Sequence, residues 1–144
     1  MRGVSWHDRV NQRVAAPVVE VVNKATLAPE IAKALSRGGV IDITTEGAKS
    51  GTPRRIEIVF HVIDGKTYIS GMPGFPRGWL ANLKQDPHFT FHLKGPVSAD
   101  LPATARVISG EAERREVLPH IARTWKRKDV DKMVETSPLI EVSF

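Results

Sequence analysis

The fold is decided by the stretch IEIVFHVIDGKTYIS, residues 56–70. Its first half places apolar side chains at every second position, as a half-buried strand does: Ile56, Ile58, Phe60 and Val62, against Glu57, Val59 and His61. Residues 66–70 resume the strand pattern after Asp64-Gly65. Because Asp-Gly between two such runs is a strong β-hairpin signal, the stretch predicts two adjacent antiparallel strands.

Outward from this hairpin, strand patterns recur at residues 40–45, 89–93, 99–109 and 139–144. Helices are predicted at residues 10–25 (kinked at Pro17), 29–36, 79–84 and from residue 111 onward, whereas residues 123–132 read as a basic, solvated stretch. Strands and helices do not alternate regularly, so a doubly wound sheet is disfavoured. The pattern favours an α+β, mainly β fold: a small barrel of about six antiparallel strands with flanking helices.

The 144 residues suit one domain. We divide it into an N-terminal helical segment (1–36), a barrel core (40–110), and a C-terminal helix and last strand (111–144). There is no cysteine, which excludes a disulfide, a thiolate metal site and a cysteine nucleophile and fits a cytoplasmic protein. The net charge of +5 predicts an anionic partner.

Residues 44–55, TTEGAKSGTPRR, combine glycines, hydroxyl side chains and basic side chains between two apolar runs. Such a loop can offer backbone N–H groups and fixed positive charge to a phosphorylated ligand. The predicted contacts are Lys49, the N–H groups of residues 50–52, and either Arg54 or Arg55. The alternative is a solvated β-turn, in which glycine and serine are also expected.

Residues 70–79, SGMPGFPRGW, form a second loop rich in glycine and proline. Arg77 and the helix start at Gly78 add positive potential for an anion. The alternative is a plain connection in which Trp79 is a core anchor. Asn82 is expected to cap or pin this second loop.

Other kinds of site find little support. No histidine pair has metal-ligand spacing with a third donor, and no serine lies in a nucleophile-elbow setting, so we predict neither a metal site nor a Ser/His/Asp triad. Basic residues do not interleave with aromatic ones as in nucleic-acid-binding strands. Glu57 either faces outward or orients Arg54 or Arg55.

These segments together resemble the deazaflavin-dependent nitroreductase family. The matching motifs are Thr-Thr-x-Gly-x-Lys-Ser-Gly-x-Pro-Arg at 44–54, Asp64-Gly65, Ser70-Gly71 and Trp-x-x-Asn-Leu-x-x-x-Pro at 79–87. The similarity is good over residues 36–110. The combination of these motifs identifies the family more specifically than either loop does alone.

The resemblance implies a split β-barrel similar to the pyridoxamine-phosphate oxidase fold. It also implies coenzyme F-420, whose reduced deazaflavin gives a hydride from C5 to an electron-poor substrate; FMN is the alternative cofactor. By this resemblance the first loop holds the phosphate and polyglutamate tail through Lys49, Ser50, Gly51, Thr52, Arg54 and Arg55. The second lines the deazaflavin with Ser70, Gly71, Arg77, Gly78 and Trp79.

The chain departs from the family pattern at several positions. It has Ala48 where many members have arginine, Glu57 where many have proline, and a shorter glycine loop at residues 72–76. Trp125 is the nearest aromatic residue to the C-terminal tyrosines of members with nitroreductase activity, so it is the candidate substrate contact. The resemblance therefore does not imply that nitroimidazoles are the substrate. The proton donor is either Ser70 or solvent.

Two other hypotheses compete with a reductase. One is a split-barrel carrier that binds a fatty acid or another apolar ligand, or a flavin, without catalysis. The other is membrane-surface association through the N-terminal helix, with Arg9, Arg13 and Lys24 beside a valine face, although such a face more often packs on a core. A homodimer is a further expectation for a split barrel.

Overall fold

The computed structural model describes residues 27–74 and 76–144. In chain order its elements are α1 (Pro29–Leu35), β1 (Gly39–Glu46), β2 (Pro53–Ile63), β3 (Lys66–Ser70), α2 (Gly78–Gln85), β4 (His88–Leu93), β5 (Ala99–Val107), α3 (Glu111–Thr124), α4 (Val130–Thr136) and β6 (Leu139–Ser143). The predicted hairpin is confirmed, with Ile63 opposite Lys66. Asp64 and Gly65 both have positive φ, 52° and 76°, as a two-residue hairpin turn requires.

The six strands form a closed barrel in the order β1-β2-β3-β6-β5-β4, and every neighbouring pair is antiparallel. The barrel closes through β1 and β4, where Ile43 lies opposite Phe91. The last strand, β6, is inserted between β3 and β5. The predicted split β-barrel is therefore confirmed.

Alternation along the strands sends one set of side chains into the barrel. Ile41, Ile43, Phe60, Ile69 and Phe91 are all almost fully buried there. The Phe91 ring makes edge-to-face contacts with Phe60 and Phe144, at centroid distances of 5.2 and 5.0 Å, a favoured aromatic geometry. Because side chains fill the barrel interior, ligands have to bind around it.

A second core lies on the outer side of the barrel. There α3 and α4 cover Tyr68 and Leu139 with Leu118, Ile121 and Met133. The guanidinium of Arg114 is buried beside this core and donates to four backbone carbonyls, of Ile108, Met133, Val134 and Ser137. Three of these carbonyls lie at the end of α4, where a cation is favoured, so Arg114 holds α4 and the start of β6 in place.

The sequence missed one element. The stretch 123–132, predicted to be solvated throughout, contains the start of α4, a helix of seven residues. It buries only Met133 and Val134, which is too short an apolar pattern to indicate a helix. The predicted helix at residues 10–25, and with it the membrane-surface hypothesis, lies outside the described residues. No helix in the described part of the chain has the length and apolarity needed to cross a bilayer.

Candidate functional site

Two loops lie at the end of the barrel where β1 and β3 finish. The first loop, residues 47–52, joins β1 to β2, and the second loop, residues 71–77, leads from β3 into α2. They correspond to the two loops that the sequence singled out. Their relative placement depends on α2, which begins directly after Arg77.

Hydrogen bonds within the first loop fix its backbone conformation. The Gly47 N–H donates to the Thr52 carbonyl and the Gly51 N–H donates to the Gly47 carbonyl, both at 2.8 Å. The Thr52 N–H donates to Ser50 Oγ at 3.1 Å. Gly51 has φ of +70°, a left-handed conformation that glycine adopts without strain. The loop is thus an ordered turn with a defined backbone.

The donors that this turn leaves available differ from those predicted. The N–H groups of Gly51 and Thr52 are used inside the loop, so the expected row of free donors over residues 50–52 is not present. Within the described residues, the N–H groups of Lys49 and Ser50 have no hydrogen-bond partner, and the exposed Lys49 ammonium has none either. These three groups are therefore the hydrogen-bond donors that the loop leaves unpaired among the described residues.

The two arginines at the start of β2 lie on opposite faces of the strand. Arg55 donates to the carboxylate of Asp42 at 2.9 Å. Arg54 lies opposite Thr45 and has no ion pair with any described residue. The structure therefore makes Arg54 the available member of the pair.

Glu57 orients neither arginine. Its carboxylate faces outward, as the first of the two alternatives predicted, and accepts a hydrogen bond from Lys94 at 2.6 Å. The alternative of an arginine partner is wrong. Lys94 also bonds Asp42, and together with Arg55 it holds the pKa of Asp42 below its usual range. This exposed network lies on the outer surface of β1 and β2.

Asn82 pins the first loop, whereas the sequence analysis assigned it to the second. Its side-chain oxygen accepts the Ala48 N–H at 2.8 Å, and its side-chain nitrogen donates to Thr45 Oγ1 at 2.9 Å. Asn82 is 7% exposed, so both bonds are shielded from water. Through this residue α2 places the two loops beside each other.

The second loop brings Ser70, Gly71 and Arg77 together. A Cβ added at Gly71 would lie 2.9 Å from the Arg77 guanidinium and 3.1 Å from Pro138, so only glycine lets the arginine lie over this backbone. Burial lowers the pKa of Arg77 from its ordinary value. The Ser70 hydroxyl is 3% exposed and donates to the Pro138 carbonyl at 2.6 Å.

The other residues predicted to contact cofactor or substrate, Gly78, Trp79 and Trp125, lie in three different environments. Gly78 is the first residue of α2 and is open to solvent, beside Arg77 at the N-cap. Trp79 is 9% exposed and belongs to the barrel core, as the alternative interpretation expected. Trp125 packs at the edge of the outer core, with its ring edge-to-face against His61 at a centroid distance of 5.2 Å.

Sequence reasoning missed two polar arrangements. Arg127, between α3 and α4, bonds both Asp129 and the sulfur of the exposed Met72, and so joins the second loop to the helices. His92 links Thr44 Oγ1 and the carboxylate of Asp100, each at 2.7 Å. Both join residues far apart in the chain, so spacing could not reveal them.

The described residues contain no group of three side chains able to hold a metal ion.

Solved structures share this fold. Similar proteins include one of the pyridoxinephosphate oxidase family from Clostridium acetobutylicum, related to general stress protein 26 of B. subtilis (12% identity, 85% of each chain covered, TM-score 0.62). Another is a conserved hypothetical protein of Mycobacterium tuberculosis (20% identity, 86% of this chain and 84% of that chain, TM-score 0.59). A FAD-binding protein of Mesorhizobium loti matches at 17% identity over 82% of this chain and 90% of that chain, with a TM-score of 0.55.

Fold and topology define this protein as a split β-barrel of the pyridoxamine-phosphate-oxidase-like class. More narrowly, the chain belongs to the F420H(2)-dependent quinone reductase family, whose model matches residues 15–143. No curated protein matches the sequence.

Proposed function

We propose that this protein is an oxidoreductase that uses coenzyme F-420 to reduce an electron-poor organic substrate. The observation that carries the proposal is the cationic end of the barrel. There Lys49 and two unpaired N–H groups lie on a loop that α2 holds beside Arg77, and Arg54 follows this loop at the start of β2. Family membership supports the same cofactor.

The donor set fits the proposed cofactor. Its phosphate and glutamate tail are anionic, and Lys49 and Arg54 offer positive charge without a competing carboxylate among the described residues. The Arg77 guanidinium, which lies over the backbone of Gly71, offers a planar cation against which a flat ring can stack. FMN also carries a phosphate, so it is the competing cofactor in the test below.

When bound, the reduced deazaflavin supplies the hydride. The chain's own residues have simpler tasks: Lys49 and Arg54 bind the anionic part, and Gly71 with Arg77 orients the ring. The Ser70 hydroxyl already donates to Pro138, so solvent is the better proton source in this arrangement. For the acceptor we propose a quinone or a similarly electron-poor ring, in keeping with the family name.

The carrier hypothesis has less support. A carrier for a fatty acid needs an apolar cavity, yet the barrel interior is filled by aromatic and branched side chains. The filled interior therefore gives no support to a carrier whose ligand lies inside the barrel.

The first prediction concerns the charge of the first loop. Lys49→Ala and Arg54→Ala should each weaken binding of coenzyme F-420 about tenfold, since each removes a charge-assisted contact. Titration of the purified full chain, followed by cofactor fluorescence, measures this. Turnover is followed by loss of the reduced-cofactor signal on adding a quinone or a nitroaromatic compound.

The matched control is Lys66→Ala, at the start of β3, where the exposed lysine lies away from both loops. It should leave affinity and melting temperature unchanged. Arg55→Ala should cost less affinity than Arg54→Ala, because Arg55 is paired with Asp42. Failure of coenzyme F-420 to bind at micromolar concentration, or tighter binding of FMN, would overturn the proposal.

A further inference from the structure

A second cavity lies on the outer wall of the barrel. It is an open cavity of about 670 Å³, lined by the second half of β2, the turn before β1 and the end of α3. Neither loop of the candidate cofactor site contributes to it. The family assignment gives this cavity no function.

His61 is the unusual group in its wall. The residue is 7% exposed, and its Nε2 atom has no hydrogen-bond partner among the described residues. Its side chain shares the outer face of β2 with Val59 and Ile63, which also line the cavity, because alternate residues of a strand point the same way. A buried, unpaired ring nitrogen is costly, so a ligand atom that bonds it would remove an existing penalty.

The charge around the cavity is positive. Arg37 and Arg123 both line it, and neither has an ion pair with any described residue. The Arg123 guanidinium has only the His120 ring nitrogen as its partner, at 2.7 Å. Asp64 is the one acidic side chain in the lining. The cavity can thus accept negative charge without first breaking an ion pair.

Apolar side chains make up part of the wall. Val59, Ile63 and Ile121 contribute to it, and the His61 ring is held edge-to-face by Trp125. Burial also lowers the pKa of His61 to about 4, so the imidazole is neutral near pH 7 and can donate from Nε2 to an oxygen atom.

We propose that this cavity binds a small aromatic carboxylate. Its ring lies against the apolar wall and its carboxylate faces Arg37 and Arg123. His61 Nε2 has no accessible surface in the ligand-free structure, so a rotation of the His61 ring accompanies binding and lets this atom donate to one of the carboxylate oxygens. The site goes beyond the proposed reductase function, because binding there needs no cofactor.

The test titrates the full chain, without cofactor, with 2-naphthoate and with its neutral counterpart 2-naphthamide. NMR follows the indole N–H of Trp125, which is assigned with Trp125→Phe. Naphthoate should shift this resonance saturably and bind about fivefold more tightly than naphthamide. No saturable shift below about 5 mM, or equal affinity for the two probes, would overturn the proposal.

Three variants separate the roles. Arg37→Gln and Arg123→Gln should each weaken naphthoate about threefold and leave naphthamide unchanged. His61→Phe keeps a ring against Trp125 but removes Nε2, so it should weaken naphthoate about fivefold while the melting temperature stays the same or rises. A purely structural His61 would leave the affinity unchanged, which also contradicts the site.

Arg115→Gln is the matched control. Arg115 is exposed on another side of α3, where it pairs with Glu111 and Asp131, and it does not line this cavity. Its replacement should leave naphthoate binding unaltered. None of these measurements depends on coenzyme F-420, so a negative result here leaves the proposed reductase function standing.

Discussion

His61 differs from other buried polar residues in how its hydrogen-bonding groups are satisfied. The Arg114 guanidinium reaches four carbonyls, and both ring nitrogens of His92 have partners. His61 Nε2 has none among the described residues, where only Thr67 and Ser137 hold comparable unpaired buried atoms. An unpaired buried group costs about 1–3 kcal/mol, so His61 reduces the stability of the ligand-free fold.

His61 should also make stability depend on pH. Burial lowers its pKa in the folded chain to about 4 from an ordinary 6.5, so between these values the unfolded chain binds more protons. Stability is therefore complete above pH 6.5 and falls as the pH drops toward 4. Acidification from about pH 7 to pH 5 should cost about 2 kcal/mol through this residue.

Urea unfolding of the wild type and of His61→Phe across this range measures the effect. The variant should lose this part of the slope. The carboxylates of Asp42, Glu113 and Asp129 have pKa values held low by basic partners, so their contributions are lost at still lower pH. An identical slope in both proteins would show that His61 does not titrate as stated.

At the scale of elements, α2 controls the geometry of the candidate site. It contributes Trp79 and Leu83 to the barrel core on one side, and Asn82 to the first loop on another. Its N-cap residue, Arg77, lies over Gly71 of the second loop. Packing of one short helix therefore determines how far apart the two loops lie.

Asn82→Ala should disturb both stability and binding. It leaves the Ala48 N–H and Thr45 Oγ1 without their partner, which should cost about 2 kcal/mol of unfolding free energy. The loosened first loop should also weaken coenzyme F-420 about tenfold. Gln85→Ala, at an exposed position of the same helix, is the control and should change unfolding free energy by less than about 0.5 kcal/mol. Unchanged affinity in Asn82→Ala would mean that the loop needs no support.

At the scale of the whole molecule, the net charge of +5 should attract an anionic cofactor from a distance. Salt screens such attraction beyond about 10 Å at 0.1 M ionic strength. The association rate for coenzyme F-420 should therefore fall about tenfold between low and high salt, with a smaller change in dissociation. Stopped-flow measurements check this, and an association rate that does not vary with salt would contradict it.

Much of the barrel follows from local patterns. The alternation in β2 and the Asp64-Gly65 turn both predicted the observed hairpin, because strand faces and two-residue turns depend on neighbouring residues. By contrast, Asn82 was predicted to pin the second loop, but it bonds the first, because which loop packs against α2 is a tertiary outcome. The helix α4 was missed because its seven residues carry too little periodic signal. The free N–H donors of the first loop were misassigned because composition does not show which backbone groups are hydrogen-bonded within a turn.

The sequence by itself determined the strands, the hairpin, the two glycine-rich loops and their basic residues, since these depend on side-chain chemistry within a few positions. Only the tertiary structure decided that β4 closes on β1, that Arg55 pairs with Asp42 while Arg54 stays available, and that His61 is buried beside Arg37 and Arg123. Those outcomes join residues far apart in the chain. They depend on which surfaces pack together, and no local pattern encodes that.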